Sequence, residues 1–517
     1  MPIIGLAGMV LRSVTSPPVK AGLLGRRTCA TCATGNSCGR SATVGLGLCR
    51  RNTSILPVYE KKVQVTSVIS SEAEGHVGPG ENGLPGFPEW LPSQIAFERH
   101  LIRAIAEGFE EFGFTPLDTA AVQPFEVLLA GGAQYSDGGM AKPIFDVLEP
   151  DETSTGRRFG LRYDLTVPLA RYLSEHGSDL VYPLRCYQIN KVWRAERPTA
   201  SHWREFYQCD IDIIGRGELS PLYDAEIAAA LVAAFDRMGV GEFTIRISNR
   251  LVLAALLAGH GLHNDRTRSV VHIIDEGGRQ PREETVAQLV AADMPAAVAE
   301  DVGRLLACRT VEEARELLTL RRADHRGLDE LDEVMAALSD LGVPDRRICL
   351  DFSITRGHDY YTGTVYETFA AGHEDWGAIG SGGRYDDLLG HVMGSVHPGV
   401  GVSIGLTRLC ALLADQATAW NLPGGPATIL VMTDVSGDSQ AVLRAARALR
   451  EAGQPTQVIF DAASPKEGLR IAESLNVPLV VQADAGGHLT LRHMRNGSSQ
   501  AVDLAGLVAL VRDGRAL

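Results

Sequence analysis

Lysine is scarce in this chain: six lysines stand against 43 arginines among 517 residues, a bias that points to G+C-rich coding. Long apolar runs are absent too. None approaches the roughly 20 residues that a membrane-spanning helix needs. No overall basic field exists, because the formal net charge is −14. That excludes a protein that holds nucleic acid by bulk charge, so any RNA contact has to be a local patch. Cysteine offers no framework. There are nine, an odd number, and Cys29, Cys32, Cys38 and Cys49 lie irregularly spaced in Ala/Thr/Gly/Ser sequence that provides no scaffold for a zinc site. The other five (Cys186, Cys209, Cys308, Cys349, Cys410) sit singly in apolar settings and read as buried thiols of a reducing compartment.

Acid is missing from the start. Residues 1–59 hold seven basic residues and no Asp or Glu before Glu60, leaving 42 basic against 63 acidic residues in the rest, a net of −21. Residues 1–82 lack helical or strand periodicity and read as a disordered or targeting-like extension. Two readings stay open: an organellar transit peptide, or coding sequence translated upstream of the true start. After Met9 the next methionine is Met140, so a shorter product would need a non-Met start codon. Beyond the leader, 45% hydrophobic content and a mean hydropathy of +0.01 describe a globular protein with ample core.

The most informative stretch is Val192–Gly215, VWRAERPTASHWREFYQCDIDIIG. It reads as a strand, a polar loop and a second strand. Arg194, Glu196 and Arg197 leave the first strand; His202, Arg204 and Phe206 enter the second. A fixed guanidinium, a second cation and an aromatic face suit the α-phosphate, γ-phosphate and adenine of ATP. Arg194-x-Glu196 with His202-x-x-x-Phe206 resembles motif 2 of the class II aminoacyl-tRNA synthetases.

Around it, a helix with Ile95, Leu101, Ile102, Ile105, Phe109 and Phe112 on its apolar face is expected from an N-cap at Ser93 to a stop at Gly113. With the strand Phe114–Leu117 it resembles motif 1, although Ala120 stands where that family usually has proline. FGLRYDLTVPLARYLSE (159–175) is a strand turning into a helix, with Asp164 able to cap it. Segments between Ile247 and Asp345 carry apolar residues at helical spacing and charged outer faces. The β pattern returns at Ile348, with Arg356-Gly357-x-Asp359-Tyr360-Tyr361, the turn Ser381-Gly382-Gly383-Arg384-Tyr385-Asp386, and Gly399-x-Gly401-x-x-x-Gly405-x-x-Arg408. Those glycines permit close backbone approach. A linker rich in Gly and Pro precedes an α/β alternation that lacks a phosphate loop.

In this order the motifs are similar to those of the histidyl branch of class II synthetases, over about Gly83 to Leu517. The fold expected is an α+β catalytic core on an antiparallel sheet with a helical insertion, plus a C-terminal α/β anticodon-binding domain. The expected boundaries are an extension at 1–82, core at 83–246, insertion at 247–345, core again at 346–415, a linker at 416–427 and the last domain at 428–517. The resemblance implies ATP-dependent activation of L-histidine and transfer to tRNA(His), with Mg²⁺ on the ATP, no metal held by protein side chains, and a homodimer formed through the core. Arg194 and Arg356 are implied as catalytic α-phosphate ligands. Glu196, His202, Phe206 and Arg408 complete the ATP site, and Phe206 and Arg408 sandwich the adenine. Asp164, Thr166 and Gln208 take the ammonium of histidine, Asp212 and Tyr361 take its imidazole, Tyr385 closes the pocket, and Arg356 and Tyr360 adjoin it. Arg197 touches the tRNA. A cytoplasmic location follows, or an organellar one if the leader is a transit peptide.

Departures from the family pattern are His202 where arginine is common, Thr407 in place of an acid, Gln123 in place of glutamate, and Asp164 and Asp212 where some branches carry glutamate. The rival readings are a synthetase-like regulatory subunit of histidine biosynthesis, and a paralogue that activates an amino acid for an acceptor other than tRNA. Retention of Arg194, Arg356 and Arg408 speaks against the first.

Overall fold

The structure, a computed structural model, describes residues 83–512 apart from 131–143, 150–155, 200–201, 264, 278–279, 355–360, 387–389, 391–395, 414–426, 435–436 and 463. The expected leader lies outside the described residues, as does the expected linker except for Ala427.

Helix α1 (Pro92–Glu111) begins one residue before Ser93, the expected cap. Proline fits the first helical position, where its missing N–H costs nothing. The side chain of Gln94 reaches back to accept from the Leu91 N–H at 2.8 Å, so Ser93 lies inside the first turn. Phe97, Leu101, Ile105 and Phe109 are buried, whereas Ile95 stays exposed. Gly113, at φ +76°, ends the helix in the left-handed region that favours glycine.

Then come β1 (Thr115–Pro116), β2 (Val122–Pro124), α2 (Phe125–Ala130), β3 (Asp146–Val147), β4 (Phe159–Leu161) and α3 (Thr166–His176). The hairpin strands β5 (Leu184–Trp193) and β6 (Glu205–Ile214) follow, with α4 (Leu222–Met238) and β7 (Phe243–Asn249). Six helices intervene: α5 (Arg250–Gly259), α6 (Asp265–Gly277), α7 (Arg282–Ala291), α8 (Ala296–Ala307), α9 (Val311–Leu320) and α10 (Arg326–Asp340). The chain returns as β8 (Ile348–Leu350), β9 (Thr364–Ala370), β10 (Gly380–Tyr385), β11 (Gly399–Gly405) and α11 (Leu406–Leu412); Ser381–Tyr385, expected as a turn, is strand because β10 pairs with both β9 and β11. The sheet persists through Asn249, three residues beyond the expected end of the core at Arg246, because Ile247–Asn249 pair with Thr364–Tyr366.

Eight strands form one sheet in the order β1-β5-β6-β11-β10-β9-β7-β8. Its pairs are antiparallel except the outer ones, β1–β5 and β7–β8. Helices α1 and α4 cover one face and meet closely: a Cβ on Gly108 would stand 2.9 Å from the Ala234 Cα. Cys209, Ile211 and Ile213 of β6 belong to that core. The opposite face of β6 carries polar groups. Of the five cysteines read as buried, Cys349 is only half-buried.

The C-terminal elements are β12 (Ile429–Asp434), α12 (Ser439–Glu451), β13 (Thr456–Ala462), α13 (Pro465–Ser474), β14 (Leu479–Ala483), β15 (Leu489–His493), β16 (Ser499–Val502) and α14 (Leu504–Arg512). Their mixed sheet runs β13-β12-β14-β15-β16 and has its own apolar clusters. Asp438 and Ser464 cap α12 and α13 through their side chains. Among the described residues no helix is long and apolar enough to cross a membrane.

Candidate active site

Strands β5 and β6 pair without interruption from Leu184↔Ile214 to Trp193↔Glu205. Because side chains alternate along a strand, Phe206, Gln208, Asp210 and Asp212 share the face opposite the helices. They line a cavity of about 320 Å³. Asp164 and Thr166 enter it from the turn between β4 and α3, Arg194, Glu196 and His202 from the hairpin loop, Tyr361 and Tyr385 from the β9–β10 side, and Arg408 from α11. Arg197 is exposed on the loop and is not among the lining residues. Arg356 and Tyr360 lie outside the described residues.

One end of the cavity is rich in carboxylates. Asp212 is 4% exposed and accepts from the Tyr385 hydroxyl at 2.5 Å. Burial pushes its pKa up to about 7 even though the Tyr385 bond pulls it down. β11 makes room for that bond: a Cβ on Gly399 would stand 2.3 Å from the Tyr385 ring, and one on Gly401 would stand 2.1 Å from the Asp212 Oδ1. Asp164 accepts from the Val167 N–H at 3.1 Å, so it both caps α3 and lines the cavity. Burial, and after it the Asp212 charge, hold Asp210 well above the usual carboxylate range. Among the described residues no group of three or more His, Cys, Asp or Glu is placed to hold a metal ion.

The cationic side is set by backbone acceptors. Arg194 Nε donates to the Tyr163 carbonyl at 3.1 Å, and its guanidinium stands 5.0 Å from the Phe206 ring centroid. Arg408 donates to the Ala378 carbonyl at 2.7 Å. His202 Nδ1 lies 3.1 Å from the Thr199 hydroxyl. A planar ring beside one guanidinium, in a cavity that a second guanidinium also lines, suits a nucleotide.

The chain matches, over residues 86–409, the sequence model of the family described as Histidyl-tRNA synthetase. It belongs to the histidyl-tRNA synthetase family. The histidine–tRNA ligase of Nostoc punctiforme is 34% identical over 455 residues, covering 83% of this chain and 96% of that one. The histidine–tRNA ligase of Xanthomonas oryzae pv. oryzae is 37% identical over 422 residues, covering 77% and 89%. The crystal structure of histidyl-tRNA synthetase from Nostoc sp. PCC 7120 matches with a TM-score of 0.73 at 32% identity, covering 84% of this chain and 99% of that one. The fold is that of a class II synthetase core followed by a C-terminal domain.

Two departures from the synthetase pattern are accounted for by packing. The Thr407 hydroxyl accepts from the Tyr207 N–H at 2.9 Å, tying α11 to β6. Gln123 is fully buried, accepts from Arg171 Nε at 2.8 Å and donates to the Ala120 carbonyl at 2.7 Å. Lining residues missed by sequence reasoning are Asp210, Ser403, Trp203 and Trp376. For Asp210 the signal was present: Gln208, Asp210 and Asp212 alternate with Cys209, Ile211 and Ile213. The two tryptophans carried no comparable pattern.

Proposed function

We propose that this chain activates L-histidine with ATP, giving histidyl-adenylate and pyrophosphate, and transfers the histidyl group to tRNA(His). The observation that carries the reading is that Asp212, held by Tyr385, lines the same cavity as Arg194 and Phe206. A slot for an imidazole thus opens onto a site for a nucleotide.

The histidine carboxylate attacks the α-phosphorus of ATP in line and expels pyrophosphate; a terminal ribose hydroxyl of the tRNA then attacks the acyl carbon, takes the histidyl group and releases AMP. Such transfer asks the protein mainly for positioning and charge stabilisation. Arg194 and Arg356 hold the α-phosphate, Phe206 and Arg408 enclose the adenine, and His202 and Arg408 reach toward the γ-phosphate. Mg²⁺ accompanies ATP and, when bound, neutralises its outer phosphates. Glu196, at the hairpin loop, lines the same cavity as Arg194 and belongs with the ATP-contacting residues. Asp164, Thr166 and Gln208 accept from the histidine ammonium, while Asp212 accepts from the imidazole N–H and the Tyr361 hydroxyl meets the other ring nitrogen. A buried carboxylate facing an N–H rejects isosteres that leave it unpaired, at a cost of roughly 1–3 kcal/mol or more.

Arg197 and the C-terminal module meet the tRNA at its acceptor end and anticodon respectively. The core pairs as a homodimer, working in the cytoplasm, or in an organelle if the leader directs it there. Histidine-dependent exchange of pyrophosphate into ATP, followed by charging of tRNA(His), tests the reading. No exchange would favour a regulatory paralogue, and exchange without charging would favour another acceptor.

A further inference from the structure

Asp210 faces the cavity from the middle of β6, yet none of the roles assigned above uses it. It is 4% exposed, and among the described residues no basic side chain forms an ion pair with it; Arg194 and Arg162 attract it only from a distance. The Ser403 hydroxyl is its hydrogen-bond partner, and Asp210 and Ser403 stand opposite each other in the β6–β11 register. The same hydroxyl accepts from Gln208 Nε2 at 2.8 Å.

This chain has a direction. Burial favours the neutral acid in the empty site, and a bound ammonium favours the carboxylate; once ionised, Asp210 only accepts, so the single Ser403 proton points to it and the Ser403 oxygen accepts from Gln208. The Gln208 amide is thereby turned so that its carbonyl cannot face Ser403. Gln208 Oε1 and Asp210 Oδ1 are left as two enclosed acceptors with no donor among the described residues. Two buried acceptors without donors are costly unless a donor-rich cation settles against them.

We propose that Asp210 is a positioning residue for the amino-acid substrate: through Ser403 it fixes the acceptor orientation of Gln208, and its charge favours a ligand bearing an α-ammonium. This rests on the reading that the cavity takes histidine. An Asp210→Asn change reverses the relay, because the new amide can donate to Ser403 and free its proton for the Gln208 carbonyl.

The test uses the full chain carrying Asp210→Asn, and separately Ser403→Ala. In pyrophosphate exchange, the KM for histidine should rise at least tenfold in Asp210→Asn, with kcat within threefold and the KM for ATP within twofold of wild type. Calorimetry without ATP then compares histidinol, which keeps the ammonium, with imidazole-4-propionate, which lacks it. Histidinol should weaken by the same factor and imidazole-4-propionate should not. Ser403→Ala should show the same ammonium-selective loss at smaller size, and it carries the test if Asp210→Asn does not fold. A wild-type KM in both variants, or equal weakening of the two ligands, overturns the proposal. Failure of histidine-dependent exchange in the wild-type chain strikes the functional reading instead, because the ligand comparison needs no ATP.

Discussion

Tyr385 on β10 hydrogen-bonds to Asp212 on β6 across a strand that separates them. β11 lies between, and it is bare of side chains where the bond passes over, at Gly399 and Gly401. Two residues 173 positions apart in sequence are joined because a third strand presents only hydrogen atoms beneath them.

Gly401→Ala places a methyl 2.1 Å from the Asp212 Oδ1 and 2.8 Å from the Ile211 carbonyl. The expected cost is about 1–3 kcal/mol of stability, as for an overpacked core. Activity should fall further, since Asp212 must leave Tyr385. Urea unfolding and pyrophosphate exchange measured on the same preparation check both parts, and a fully active variant would contradict this geometry.

The protonation of Asp212 sets a pH dependence. Its pKa in the folded protein is pushed up to about 7, so below that pH the empty site holds a neutral acid. To accept from an imidazole N–H as a carboxylate it must first release the proton. The KM for histidine should therefore rise as pH falls below about 7, by up to about tenfold per unit. The stability contribution runs the opposite way: a raised carboxylate favours the fold most below its usual value and loses that contribution as pH climbs through about 7. A KM profile that stays flat between pH 6 and 8, once the titration of histidine itself is subtracted, would mean that the proton is shared with the ligand.

Arg384 and Asp224 form a buried pair in which Arg384 Nη2 donates to Asp224 Oδ1 at 2.7 Å and Nε donates to both carboxylate oxygens at 3.2 Å. Arg384 also donates to the Leu219 and Ser220 carbonyls, fixing the start of α4 against β10 beside Tyr385. Arg384→Met should cost about 3–5 kcal/mol because it strands a buried carboxylate. The double variant Arg384→Met/Asp224→Leu should regain much of that loss. Denaturant midpoints for the two single variants and the double variant give the coupling directly.

Arg356 lies outside the described residues, and its role rests on its place in Arg356-Gly357-His358-Asp359-Tyr360-Tyr361. Arg356→Ala should slow adenylate formation by about 10²–10³, the loss of about 3–4 kcal/mol of charge stabilisation, with the melting temperature unchanged. Near-normal exchange would remove Arg356 from the α-phosphate site.

Much of the site was legible because β6 alternates. Phe206, Gln208 and Asp212 stand out as polar or aromatic positions two apart among isoleucines, and period two puts them on one face whatever else the chain does. Asp210 obeyed the same rule and was passed over because no motif named it. The Arg384–Asp224 pair was not legible: its members are 160 residues apart, and nothing local distinguishes a buried arginine from a surface one. Ser93 failed as a cap because Pro92 is better suited to begin a helix than serine is to precede one. The glycines of β11 announced a close approach, but what approaches them, a tyrosine from one neighbour and an aspartate from the other, is known only from the register of three strands.

β6 acts as a ruler. Phe206, Gln208, Asp210 and Asp212 mark it at intervals of about 7 Å, so the distance between the aromatic and carboxylate ends of the cavity is set by the pleat of a single strand. Point changes alter one mark at a time. Insertion or deletion of one residue between Phe206 and Asp212 would send the marks beyond it into the apolar helix layer and bring Cys209, Ile211 or Ile213 into the cavity. This strand can therefore drift in composition while its length stays invariant.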